Sequence, residues 1–354
     1  MAGGLMKIFN KYLIKRSFLI SLFIFVIFAL LDLVFNFISE LENISTDYTF
    51  FSALKFVFIS MPHNASGFLE GACLLGVMIS LGISHEEGNL NVLRSSGQSP
   101  IKIILTSSLG TMLLVLSFIS IDETYFRNVH LNAEVERSLK LNKQKQVTSD
   151  NQWVKGDESI LSYSNIINDT IFNIKFIKLE SNKALYFKTA DSAKIYLEEI
   201  IFDDTLKSHS FNSNQNNELK EKFIFPLVAR IPFKNIESLS IYEIRKYQEI
   251  LLESSLSEDI LFRSHLNKSY FKRVFYPFSI LAVIIFFGSF IFGSLRDSSP
   301  ASRVVIAVVG GFSYKVVQDF SISFFISFGY PVFIGVVIPA IVLLIASLFL
   351  YKRI

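Results

Sequence analysis

The sequence SFLISLFIFVIFALLDLVFNFI, residues 17–38, decides the fold class. A bilayer core about 30 Å thick needs about 20 mostly apolar residues in a helix, and this stretch meets that requirement. It follows a basic segment that contains Lys7, Lys11, Lys15 and Arg16. The apolar run is longer than the core of a typical signal peptide and lacks a small-x-small cleavage site, which favours a retained membrane anchor.

Five more apolar stretches of similar length predict a polytopic membrane protein. They lie at 61–84, 101–121, 275–292, 304–325 and 332–350. Only 18% of the 354 residues are charged, against about 25% in soluble domains. Of the 65 charged residues, 42 lie in residues 122–268, so two apolar blocks flank one polar insert. The net charge of +3 excludes a bulk nucleic-acid binder, and no nucleic-acid partner is expected.

The lysines and arginines of the short loops predict the orientation, because cytoplasmic loops carry an excess of them. An even number of spans places both termini on the same side of the membrane. Ten of these cations lie on that side: Lys7, Lys11, Lys15, Arg16, Arg94, Lys102, Arg296, Arg303, Lys352 and Arg353. The opposite short loops contain only Lys55. We therefore expect cytoplasmic termini and an insert on the outside, which in a bacterial inner membrane is the periplasm.

The insert has the pattern of an all-β domain followed by a helix. Short runs rich in Ile, Phe, Tyr and Val lie at 160–163, 171–179, 184–189, 194–201 and 222–231. Such strands, separated by Asn, Asp, Ser and Gly, predict a sandwich or jellyroll. Residues 239–256 have helical spacing, with Ser240 as N-cap and Glu243 three residues later.

The predicted organisation follows from these patterns. Residues 1–121 form three transmembrane helices, 122–238 the β-jellyroll domain, 239–273 a helical linker and 274–354 three more transmembrane helices. The chain has no nucleotide-binding P-loop, no H-E-x-x-H and no G-x-S-x-G motif, and its five histidines are scattered. The single cysteine, Cys73, excludes an internal disulfide. We expect no cofactor, no metal site and no enzymatic activity of its own.

The loop between the second and third spans, HEEGNLNVLRSSGQSPIKI at 85–103, predicts a short amphipathic helix near 86–97. Leu90, Val92, Leu93 and Arg94 have helical spacing, and Gly97 is suited to the position just past the helix end. Such a helix either docks its exposed Leu and Val side chains into a groove of another protein or lies on the lipid surface.

This loop resembles the coupling loop of the lipopolysaccharide export permeases, the LptF/LptG family. Residues 88–97, GNLNVLRSSG, correspond to the family pattern S-E-L-x-V-M-x-A-S-G. WVKGDESILSY at 153–163 resembles the first strand of the family's periplasmic jellyroll. Three further segments resemble the G type: FGSLRDSSPASRVV at 292–305, GFSYKVVQDF at 311–320 and PVFIGVVIPAIVLLIASLFLYKR at 331–353.

The resemblance implies a transport function. Permeases of this family pair as F and G types on an LptB-like ATPase homodimer in the cytoplasm. They extract lipopolysaccharide from the inner membrane and pass it to a periplasmic jellyroll bridge (LptC/LptA-like). An alternative from another class is a membrane-anchored scaffold or sensor with a β-sandwich ectodomain, which would need neither a coupling helix nor a partner ATPase.

The chain departs from the family pattern in two places. Asn89 stands where the signature has Glu, and Glu86 and Glu87 lie close enough to replace it, including toward a basic residue of the ATPase. At the outer end of span one, Asn36 stands where G-type permeases often carry a lysine that meets lipid phosphates.

A charged pair is predicted inside span five. Lys315 lies 11 positions after Val304, too deep to reach either surface easily, and Asp319 follows at i+4 on the same face. The two either neutralise each other within the bundle or form part of a lipid gate together with Asn36. The resemblance places span five at the lateral gate.

Overall fold

The computed structural model describes most of the chain. The described residues are 2–142, 152–156, 158–167, 170–180, 183–196, 199–203, 205–210, 219–223, 239–253, 260–292 and 299–352. They form two compact units, one made of Met1–Leu141 with Ser264–Ile354 and the other of Asn142–Arg263.

The first unit is helical. Its helices are α1 (Ala2–Leu41), α2 (Phe50–Ala65), α3 (Leu69–Glu86), α4 (Asn89–Ser95), α5 (Pro100–Ile121), α6 (Arg127–Asn142), α8 (Ile260–Val274), α9 (Tyr276–Phe292), α10 (Pro300–Ser327) and α11 (Val332–Tyr351). A 3₁₀ turn at Ser66–Phe68 joins α2 to α3, and a π-helix at Asp122–Phe126 joins α5 to α6. Residues 122–142, which the sequence assigned to the insert, are therefore helical and mostly part of this unit.

Five helical segments in the described residues are long and apolar enough to cross a membrane. They are Ile8–Leu41, Phe50–Glu86, Pro100–Ser138, Ser302–Ser327 and Val332–Tyr351. The fourth predicted span, 275–292, coincides with α9, which has only 17 residues and meets α8 at a 56° bend. The total reaches the predicted six only if this bent pair counts as one span.

The core of the helical unit lies where α1, α3, α5 and α9 meet. Val77, Ile104 and Val115 are completely buried there. Gly76 on α3 allows a close approach to α1, since a Cβ at this position would collide with the backbone and hydroxyl of Ser21. Close packing of this kind is how membrane helices associate without a hydrophobic driving force between them.

The second unit contains one eight-stranded antiparallel sheet. Its strands are β1 (Gln152–Lys155), β2 (Ser159–Tyr163), β3 (Asn165–Ile167), β4 (Thr170–Glu180), β5 (Lys183–Ile195), β6 (Glu199–Phe202), β7 (Lys207–Ser210) and β8 (Lys220–Lys222). The strand order is β1-β2-β4-β5-β6-β8, with β3 beside β4 and β7 beside β5. The described strands thus show an all-antiparallel sheet, while a second sheet, as a sandwich requires, is not seen among them.

The alternating sequence pattern placed most strands correctly. Leu161, Ile174 and Phe176 are buried in the core of this unit. The predicted strand 194–201 is wrong as one element, because β5 ends at Ile195 and the chain turns back into β6. The predicted strand 222–231 begins at the end of β8, and its residues 224–231 lie outside the described ones.

The helix α7 (Ile241–Glu253) also belongs to the second unit and begins with the predicted capping box. The Ser240 backbone N–H donates to Glu243 Oε2 at 2.7 Å, and the Glu243 N–H donates to Ser240 Oγ at 3.1 Å. These reciprocal bonds satisfy two donors that the first helical turn leaves without a partner.

Candidate functional site

The predicted short helix is present as α4, Asn89–Ser95. Glycines with positive φ flank it, Gly88 at +75° and Gly97 at +86°. Its C-terminus is a Schellman motif, because the Gly97 N–H donates to the Arg94 carbonyl and the Gln98 N–H donates to the Leu93 carbonyl. The sequence thus fixes both ends of the helix through local backbone conformation.

The burial of the α4 side chains differs from the expected pattern. Leu90 and Leu93 are each 1% exposed and belong to the core of the helical unit. The expectation that these leucines are available to a partner is therefore wrong, since the chain's own bundle covers them. The outward face carries Asn91, Val92 and Arg94, and Val92 is 51% exposed.

A two-point ion pair connects the start of α4 to α1. Arg16 Nη1 and Nη2 donate to the two carboxylate oxygens of Glu87 at 2.5 and 2.8 Å. Asn89 Nδ2 donates to Glu87 Oε2 at 2.9 Å, and Tyr12 Oη donates to the same oxygen at 3.4 Å. The Arg16 hydrogen bond is the main reason why the pKa of Glu87 lies below its ordinary value. The family signature has Glu at position 89. In this chain Asn89 instead donates a hydrogen bond to Glu87, two residues earlier, and so helps to hold that carboxylate in place.

A second ion pair connects the end of α3, just before α4, to α10. Arg303 Nη1 donates to Glu86 Oε1 at 3.0 Å, and Arg303 is only 3% exposed. The guanidinium passes over Gly82, where a Cβ would come within 2.6 Å of Arg303 Nη1. Glu86 and Glu87, which the sequence offered as possible contacts for an ATPase, are thus both engaged within the chain.

The charged residues predicted in span five are arranged differently from the expected pair. Asp319 Oδ1 accepts from Lys272 Nζ on α8 at 2.8 Å. The i, i+4 spacing does not produce an ion pair between Lys315 and Asp319, and within the described residues no carboxylate lies within 4 Å of the Lys315 ammonium. Lys315 is exposed on α10.

Other charged residues within the helices were missed by the sequence reasoning. Glu70 on α3 is a buried carboxyl group, 9% exposed, within the candidate span Phe50–Glu86. Asn36 Nδ2 donates to Asp32 Oδ2 at 2.8 Å, one turn earlier on α1. The carboxylates of Glu70 and Asp32 each stand alone within an apolar run. The sequence therefore does contain a signal by which these two residues could have been identified.

An apolar cavity of about 490 Å³ lies between α9, α10 and α11. Phe287, Val317, Phe320 and Pro339 are among its lining residues. Its lining on α10 extends from Gly310 to Phe324, about 21 Å along the helix at 1.5 Å per residue. A space of this length and character suits an acyl chain.

Comparison with known proteins agrees with this architecture. The family model "Lipopolysaccharide export system permease LptF/LptG" matches residues 11–353. The chain is similar to lipopolysaccharide export system permease protein LptG of Haemophilus influenzae, with 24% identity over 91% of this chain and 92% of that protein. It is likewise similar to LptG of Escherichia coli, with 23% identity over 98% of both chains. Because the family match covers nearly the whole chain, with its long apolar helices and its sheet unit, the chain belongs to the LptF/LptG family of lipopolysaccharide export system permeases.

Proposed function

We propose that this chain is the G-type permease subunit of an ABC transporter that extracts lipopolysaccharide from the bacterial inner membrane. Both termini lie in the cytoplasm and the sheet unit lies in the periplasm. The family match, and two relatives that are named as LptG, support this assignment. The loop cations described above support the orientation.

The observation that carries the proposal is the way in which α4 is held. Leu90 and Leu93 anchor its inner face in the bundle, and the Glu86 and Glu87 ion pairs connect it to α10 and α1. The outward face, with Val92 half exposed, then presents a rigid surface to a cytoplasmic ATPase homodimer of the LptB type. A push on this surface is transmitted to packed helices with more than one stable arrangement, as switching between transport states requires.

The lipid side of the proposal uses the gate residues. Lys315 is the group on α10 that we assign to an anionic head group, because it is exposed and makes no close ion pair among the described residues. Asn36 and Asp319 complete this gate, with Asp319 already neutralised by Lys272. An F-type permease supplies the other half of the membrane cavity, and an LptC/LptA-like jellyroll bridge receives the lipid from the sheet unit.

Co-purification of the ATPase with charge variants of α4 tests the proposal. We expect Val92→Asp to weaken association at least about tenfold, because a charge introduced into an apolar contact is left without a partner. Val92→Thr is the matched control, since it keeps the shape of the side chain and adds no charge. Normal co-purification of Val92→Asp would refute docking through this face.

A further inference from the structure

The apolar cavity between α9, α10 and α11, called here the α10–α11 groove, has the form of a wedge. α10 and α11 approach each other closely at Gly335, where a Cβ would lie 3.2 Å from the Ile322 Cα. Three residues further along α11, at Ile338, the lining of the groove begins. On α10 the lining begins at Gly310, where a Cβ would collide with the Phe287 ring of α9. Tight packing therefore bounds the groove near Gly335 and at Gly310.

The polar groups beside the α10–α11 groove bond to the helices themselves. Pro339 has no N–H, so the Gly335 carbonyl lacks its usual helical partner. Ser321 Oγ donates to that carbonyl at 2.8 Å, and Gln318 Nε2 donates to the Tyr314 hydroxyl at 3.3 Å. Among the described residues, no charged side chain lines the groove. The groove therefore suits an occupant that is apolar along its whole length.

The α10–α11 groove opens onto the surface of the helical unit. Val317, Phe320 and Val342 line it, and each of them is more than half exposed. α10 and α11 supply the candidate spans Ser302–Ser327 and Val332–Tyr351, so the groove lies at the depth of the bilayer hydrocarbon. Because that region contains no water, only a lipid chain or another helix can cover these side chains.

The dimensions of the α10–α11 groove select a single acyl chain. Spread over the roughly 21 Å from Gly310 to Phe324, its volume of about 490 Å³ gives a mean cross-section of about 23 Å². An α-helix with its side chains is at least about 10 Å across, which corresponds to roughly 80 Å². A helix is therefore too wide to enter the groove, whereas a hydrocarbon chain, which is one CH₂ group wide, fits into it.

The α10–α11 groove lies on the flank of α10 that is remote from the predicted gate residues. Successive residues of an α-helix are about 100° apart, so Val317 is about 160° from both Lys315 and Asp319 around α10. The groove is therefore separate from the side of α10 on which the proposed function places lipopolysaccharide. The acyl chains that the bilayer itself supplies at this surface belong to its glycerophospholipids.

We propose that the α10–α11 groove binds one acyl chain of a membrane glycerophospholipid, which stays there as a packing element between α10 and α11. The chain contacts Val317 and Val342 and supports α10 on the flank opposite Lys315. This inference goes beyond the proposed function, because its ligand is not the exported lipid and the site requires no ATPase.

Quenching of tryptophan fluorescence tests the proposal on the full-length chain in digitonin, a detergent that has rings in place of an alkyl chain. Trp153→Phe first removes the single native tryptophan. Phe320→Trp then places a reporter in the groove, and Phe312→Trp is the matched control, because Phe312 is similarly exposed on α10 but does not line the groove. The probe is phosphatidylcholine with one dibrominated acyl chain, since bromine quenches the indole on contact. We expect half-maximal quenching of the groove reporter at a mole fraction of lipid at least about tenfold lower than that of the control.

Two further variants connect the quenching to the space inside the α10–α11 groove. Val342→Phe adds bulk to the lining, so we expect it to move the quenching curve of the groove reporter to that of the control reporter. Val309→Phe is the matched control, because Val309 is exposed on α10 outside the lining. It is expected to leave the curve unchanged.

Other outcomes would overturn the inference. Equal quenching curves at the two reporters would show that lipid only surrounds α10, and an unchanged curve in Val342→Phe would show that the chain does not enter the groove. A change of oligomeric state in Val342→Phe with unchanged quenching would indicate a helix of a second copy as the occupant. Displacement of the brominated lipid by an equal amount of lipopolysaccharide would assign the groove to the exported lipid. Because the quenching measurement contains no ATPase and no cargo, its result is independent of whether the chain is found to transport lipopolysaccharide.

Discussion

The inner face of α4 gives the clearest test of what holds this helix in place. Leu93 is 1% exposed, so Leu93→Ala removes nearly all of a buried side chain and leaves a cavity. Such substitutions cost about 2–5 kcal/mol. Val92 is about half exposed, and Val92→Ala is expected to cost about 0.8 kcal/mol or less.

The loss at Leu93 should appear first as local opening of α4. A helix of seven residues is not stable alone, so it depends on the packing of its inner face and on its end contacts. We expect amide hydrogen exchange over residues 89–95 to accelerate strongly in Leu93→Ala and only slightly in Val92→Ala. Equilibrium unfolding in mixed micelles measures the accompanying change in global stability.

Measuring ATPase binding together with hydrogen exchange and stability distinguishes between two roles of Leu93. If Leu93→Ala lost ATPase binding while its exchange protection and stability matched the wild type, Leu93 would contact the partner directly. The packing described here would then be refuted. If ATPase binding falls together with exchange protection and stability, Leu93 acts by holding the helix in place.

Three further predictions follow from named contacts. Gly76→Ala places a Cβ 2.6 Å from the Ser21 Cα and should cost about 1–3 kcal/mol in equilibrium unfolding, whereas Gly71→Ala, whose Cβ would lie 3.9 Å from Phe28, should cost much less. The pKa of Glu87 is lowered in the folded chain, so the stability that its carboxylate contributes is present at neutral pH and disappears as the pH falls below roughly 4. The difference in unfolding free energy between Glu87→Gln and wild type should therefore vanish at acidic pH. A difference that stays constant with pH would contradict the Arg16 contact as its cause. A double-mutant cycle between Lys272→Met and Asp319→Asn should give a measurable coupling energy, while the cycle between Lys315→Met and Asp319→Asn should give almost none.

The parts of the fold that depend on local sequence could be predicted from it. Long apolar runs identified the membrane helices, because the bilayer sets a length that the sequence must meet. The ends of α4 and the capping box of α7 could be predicted too, because Gly97 and the Ser240–Glu243 pair act on their own backbone. The turn between β5 and β6 was missed, because β-branched and aromatic residues continue on both sides of it.

Contacts between distant residues could not be predicted in the same way. Asp319 pairs with Lys272, 47 positions away, and not with the residue one turn earlier on its own helix. An apolar stripe such as Leu90 and Leu93 looks the same whether a partner or the chain's own bundle covers it. Helical spacing reports which residues share a face, and tertiary packing decides what that face meets.

The ion pairs of Glu86 and Glu87, just before α4, connect this segment to the helices that carry the predicted gate residues. Arg303 lies on α10, about 18 Å along the helix from Lys315, and Arg16 lies on α1, about 30 Å from Asn36. A helix with intact backbone hydrogen bonds transmits a displacement along its axis, because shortening it would break those bonds. If α4 receives the push of an ATPase, as the proposed function requires, Arg303 and Arg16 are the points where that push enters α10 and α1. Replacing either arginine should then weaken the link between ATP hydrolysis and lipid release more than it weakens ATPase binding, because Leu90 and Leu93 still anchor the inner face of α4 and its outward face is unchanged.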